Sequence, residues 1–124
     1  MSEVIAERQF RTLEGTRVVA KIHLPEKLGQ SYEWSCKVEV QGLETPFDKS
    51  SIGVDSFQAL CSGLRLLCMH LDKIAETVTF LDGEAGDCGT PLIMPWTFGP
   101  SLKAEVYRLV EGKIKNELDS SHKL

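Results

Sequence analysis

Hydrophobic and polar residues alternate most strictly over Trp34-Ser35-Cys36-Lys37-Val38-Glu39-Val40-Gln41, with Trp34, Cys36, Val38 and Val40 on one face and polar side chains on the other. A period of two marks a strand covered on one side only, which is the habit of antiparallel sheets. Two extended segments precede it, Val4 to Arg11 and Arg17 to Leu24, and Leu13-Glu14-Gly15-Thr16 between them reads as a hairpin turn. In the second arm Val18, Ala20, Ile22 and Leu24 share a face, Val19, Lys21 and His23 take the other, and Pro25 ends the run. Gly42 closes the third strand, and a short edge strand is expected near Phe47.

The period changes at Gly53-Val54-Asp55-Ser56-Phe57-Gln58-Ala59-Leu60. Asp55 there is placed to accept from the free N–H groups of a first helical turn, and Gln58 to reach back to the Asp55 N–H, a capping box in its Asp/Gln form. The helix that follows carries Phe57, Leu60, Cys61, Leu64, Leu67, Cys68 and Leu71 as one apolar stripe, expected to cover the sheet. Gly63 inside it reads either as close approach by another element or as drift, and Leu66 and Met69 fall on the opposite side. Val78 to Leu81 reads as a short strand, followed by a loop and a further short strand at Leu92-Ile93-Met94. Ser101 offers the N-cap of a second helix from Leu102 to Leu118, with Leu102, Val106, Leu109, Val110 and Ile114 apolar and Gly112 a weak point. The order predicts an α+β domain over 1–118, an antiparallel sheet of three main strands plus short ones packed against a central amphipathic helix and a C-terminal helix. Residues 119–124 read as a polar tail.

The Trp34-x-Cys36 strand, Gly42 and above all the Gly53 to Leu60 helix start resemble a family of small bacterial proteins known as a domain of unknown function. The resemblance covers roughly Ile5 to Pro91 and implies an α+β fold and a bacterial setting. It brings no functional residue with it.

Composition removes several classes of function. The formal charge of −4, with no basic run, disfavours nucleic acid, whose binders neutralise phosphates with clustered Lys and Arg. The first residues lack the basic and apolar regions of a secretory signal, and no apolar run approaches spanning length, so a cytoplasmic protein without membrane contact is expected. The four cysteines show no C-x-x-C spacing, and Cys36, Cys61 and Cys68 read as buried reduced thiols.

Two stretches remain as candidates for chemistry. The 82–89 loop holds Asp82, Glu84, Asp87, three glycines and Cys88, an oxygen-rich set that suits a hard cation or small ligand. Its fifth position is Gly86, so it does not match an EF-hand, and a solvated turn is the competing reading. Cys88 between glycines suggests an exposed thiol, but its acidic neighbour has the wrong sign to activate it, and His23 and His70 sit on predicted polar faces. In Pro95-Trp96-Thr97-Phe98-Gly99-Pro100 two aromatics are pinned between prolines. Trp96 and Phe98 either close the sheet's end or serve as exposed anchors for a partner.

These readings converge on a non-enzymatic protein-binding module, immunity- or adaptor-like, with no cofactor implied and an acidic surface suited to a basic partner. The alternative is a small-ligand or metal-binding protein using the 82–89 loop. Homodimerisation through Leu66 and Met69 or through the C-terminal helix fits either.

Overall fold

A computed structural model describes residues 2–81, 83–91, 93 and 99–122. The chain divides into two compact units, Met1–Met94 and Pro95–Leu124. The first is an α+β unit in which six strands form an antiparallel sheet beneath one long helix.

β1 (Val4–Thr12) and β2 (Arg17–His23) form the expected hairpin, closed by Gly15 N–H donating to Thr12 O at 2.9 Å and Thr12 N–H to Thr16 O at 2.8 Å. β4 (Trp34–Gln41) is the central strand. On it, β2 pairs along Val38 to Gln41, and the two-residue β3 (Glu26–Lys27), not foreseen in the sequence, pairs with Trp34 and Ser35. β5 (Phe47–Gly53) is longer than its pattern suggested, pairing with Trp34 to Val40. Its Asp48-Lys49-Ser50-Ser51 centre is polar on both faces, so only the β4 ladder reveals it as a strand. β6 is confined to Val78–Thr79 and pairs with Arg11 and Thr12 at the far edge of β1.

The buried side of the sheet is Phe10 from β1, Val18, Ala20 and Ile22 from β2, and Cys36, Val38 and Val40 from β4. Over it lies α1 (Ser56–Ile74), packed on β4 and β5 and followed by a 3-10 turn at Ala75–Thr77. Asp55 caps α1 by accepting from Gln58 N–H at 2.7 Å, but the Gln58 side chain accepts from Val54 N–H at 2.6 Å rather than from Asp55.

The buried face of α1 differs from the predicted stripe. Ala59, Gly63, Leu67 and Leu71, four residues apart, form the ridge against the sheet, joined by Cys68. Phe57 and Cys61 lie two positions off that ridge, about 200° around the helix, and are exposed. Small residues set this choice. A Cβ at Gly63 would stand 2.7 Å from Cys36 Sγ and 3.2 Å from Ser51 Oγ, so only glycine lets the helix approach β4 and β5 this closely. Ser51 Oγ uses the proximity to donate to Ala59 O at 2.9 Å. Leu66, expected on the outside, is half-buried against the core.

Neither histidine is freely exposed, although His23 keeps the polar sheet face predicted for it. His23 is buried, and His70 stacks on Phe47 with ring centroids 3.9 Å apart. Burial, followed by the nearby Lys73 charge, pushes the His70 pKa down from its ordinary value.

In the second unit α2 spans Gly99–His122. It starts two residues before Ser101, which is therefore within the helix rather than at its cap, and it continues through Asp119 and Ser120, where composition predicted a tail.

Candidate binding cleft

The loop after β6 is fastened to the first unit at several points. Gly86 N–H donates to Ala75 O at 2.8 Å, and Arg8 Nη1 donates to Gly89 O at 2.8 Å and Cys88 O at 3.2 Å. The Arg8 guanidinium also lies 4.3 Å above the Phe80 ring centre. Gly89 fits beneath these groups with φ +65°, where a Cβ would meet the Phe80 ring at 3.1 Å.

This fastening explains the fate of the acidic loop. Cys88 is not an exposed thiol: it is buried in the core, its Sγ 3.7 Å from Leu71 O, and burial, then Asp72 and Asp87, raise its pKa against the opposing Arg8 charge. The thiol is thus held protonated and out of reach. Asp87 Oδ1 accepts from Gly89 N–H at 2.9 Å, a local turn contact, while Glu84 is exposed. Asp82 lies outside the described residues, as do Trp96, Phe98 and most of the predicted Leu92–Met94 strand. Among the described residues, no group of three His, Cys, Asp or Glu side chains is arranged to hold a metal ion.

Fastening the loop leaves a cleft of about 360 Å³ between it and α1, lined by Arg65, Cys68, Met69, Asp72, Thr90, Pro91 and Ile93. Thr90 Oγ1 donates to Asp72 Oδ1 at 2.7 Å and ties the two walls together. Arg65 and Asp72 are seven residues apart on α1, about 10 Å along its axis. Opposite charges therefore mark two ends of a wall on which the exposed Met69 is the apolar member. Cys68 is buried, and its pKa is raised by burial first and Asp72 second, against a smaller opposing effect of Arg8. The described lining offers one cation, Arg65, one carboxylate, Asp72, and apolar surface. Sequence reading had singled out Met69 but missed Arg65 and Asp72. The available signal was their opposite charge at i and i+7 on either side of Met69.

A second titratable cluster sits on the sheet face away from α1. Glu39 Oε1 accepts from Gln41 Nε2 at 3.0 Å and lies 3.5 Å from His23 Nε2, while Glu39 Oε2 is 3.5 Å from Lys37 Nζ. His23 Nδ1 is hydrogen-bonded to Ser2 Oγ at 2.9 Å, and Leu24 N–H donates to Glu3 O. Ser2, His23 and Glu39 line up like a nucleophile, base and acid. His23 and Glu39 are nevertheless closed to solvent, at 6% and 8% exposed, so the network fastens the first residues to the sheet.

Residues 6–92 match the family model described as Domain of unknown function (DUF6968), which spans the sheet, α1 and the fastened loop, and the chain belongs to that family. No curated protein and no solved structure matches the chain.

Proposed function

We propose that this chain is a non-enzymatic protein-binding module of the bacterial cytoplasm, and that the cleft between α1 and the 83–93 segment receives a short stretch of its partner. The observation that supports this reading is the cleft's wall: exposed Met69 lies between Arg65 and Asp72, with Pro91 and Ile93 facing α1. An apolar partner side chain set against Met69, with an acidic group toward Arg65 and a basic group toward Asp72, would satisfy every feature of that wall. The formal charge of −4 steers encounter toward a partner of net positive charge.

The test is site-specific photocrosslinking in bacterial lysate with a benzophenone amino acid at position 69, and with the same probe at exposed Tyr32 as control. One discrete protein adduct at 69, absent at 32 and lost in the Arg65→Glu variant, is the expected result. The same adducts at both positions, or none at 69, would overturn the assignment of the cleft.

A further inference from the structure

The sheet face away from α1 has a concave site of its own, near the turn of the β1–β2 hairpin. Arg11 of β1 and Arg17 of β2 are direct cross-strand partners, and Thr79 of β6 is the partner of Arg11 on its other side. Directly opposed residues share a face with Cβ atoms about 5 Å apart, and like charges in that relation repel. Gln9, two residues before Arg11, lies on the same face. These four residues, with Phe10 and Leu81, line a cavity of about 140 Å³.

Among the described residues nothing neutralises the two arginines, because every ion pair there is made by other groups. Arg11 Nη1 donates to Gly15 O at 3.0 Å, which anchors that guanidinium beside the hairpin turn, and the Arg17 side chain has no hydrogen-bond partner among the described residues. A guanidinium carries five N–H donors in a planar fork, so most donors of the pair stay available to a guest. A repulsive arginine pair, uncompensated in a chain of net charge −4, is built as a site that the charge of a ligand completes.

We propose that this cavity binds a tetrahedral phosphate dianion, either inorganic phosphate or the phosphoryl group of a small monoester, between the forks of Arg11 and Arg17. A carboxylate has two oxygens and one charge, enough for a single fork. A phosphoryl group has three terminal oxygens and close to two charges, so it accepts from both forks and balances both cations. Thr79 and Gln9 add a hydroxyl and an amide to the lining. Leu81, exposed and in the left-handed region at φ +53°, supplies an apolar flank for the organic part of an ester.

Isothermal titration calorimetry of the full chain with inorganic phosphate and with phenyl phosphate tests this, at fixed ionic strength and about pH 7.5, above the second phosphate pKa of about 6. Saturable binding with half-saturation at about 1 mM is expected, and the tighter guest tells whether the free anion or an ester is preferred. Arg17→Gln and Arg11→Gln should each weaken binding roughly tenfold. Lys21→Gln removes the same charge from the same sheet face, but four residues from Arg17, about 13 Å along β2 and beyond the screening length, so it should leave binding within about twofold. Thermal unfolding separates a binding role from a structural one. Because the arginines repel each other, Arg17→Gln should melt no lower than the parent in phosphate-free buffer, and it should lose the parent's rise in melting temperature on adding phosphate. No saturable binding of either guest by about 20 mM, binding unchanged in Arg17→Gln, an equal loss in Lys21→Gln, or a phosphate-free Arg17→Gln variant that melts below the parent would each overturn the proposal.

Discussion

The two helices are of comparable length, 19 and 24 residues, yet they meet opposite fates. α1 begins at a side-chain cap and presses an Ala59-Gly63-Leu67-Leu71 ridge into the sheet. α2 carries a more regular apolar ridge, and none of its described side chains is buried. Amphipathic periodicity therefore states that a helix has a face to cover and is silent on what covers it. Contact with the sheet depends on side-chain size as well as hydrophobicity, because a helix can approach a strand only as closely as its bulkiest facing residue permits.

A pair of glycine substitutions separates the two helices most sharply. Gly63→Ala gains helix propensity but drives a methyl group into Cys36 Sγ, which stands 2.7 Å from the new Cβ position in a fully buried site. The net loss should be about 1–2 kcal/mol in urea denaturation. Gly112→Ala meets nothing within 4 Å, so the same chemical change should stabilise α2 by about 0.8–1 kcal/mol, seen as increased helicity at 222 nm. If the two substitutions shifted stability in the same direction, the contrast between a packed and an open helix would fail.

The cap of α1 supplies the next effect. Asp55→Ala removes the acceptor for Gln58 N–H and should cost about 1 kcal/mol, with Asp55→Asn recovering most of it. Equal losses in both variants would show that the charge, rather than the hydrogen bond, holds the helix start.

The smallest effect concerns pH. The His70 pKa is depressed in the folded state, so the unfolded chain takes up its proton first as pH falls. Stability from this residue is complete above the unfolded value of about 6.5 and declines as pH drops through that value toward the folded one. His70→Phe keeps a ring against Phe47 and removes the titration. The parent's melting temperature should consequently fall slightly more than the variant's between pH 7.5 and 5.5; parallel curves would rule out this contribution.

Local pattern was sufficient where local physics decides. The β1–β2 hairpin, the inward set Cys36, Val38 and Val40, the Asp55 cap and the α+β class all follow from alternation, turn chemistry and a polar residue before a helical period. Of the two readings of Gly63, close approach or drift, the structure shows close approach, with Cys36 Sγ 2.7 Å from where a Cβ would stand. Elsewhere partners far along the chain decided. β5 is a strand because β4 offers it a ladder, and Cys88 is buried because Arg8, some eighty residues earlier, fastens the backbone around it. His23 is buried by Ser2 and Glu39, and the cleft exists because the loop returns to α1 and brings Thr90 to Asp72. Sequence determined the elements and their apolar faces, because those depend on neighbours within one or two turns or along one strand. Only tertiary structure decided which apolar and charged groups are covered and which stand open to solvent, because that depends on how closely distant segments approach.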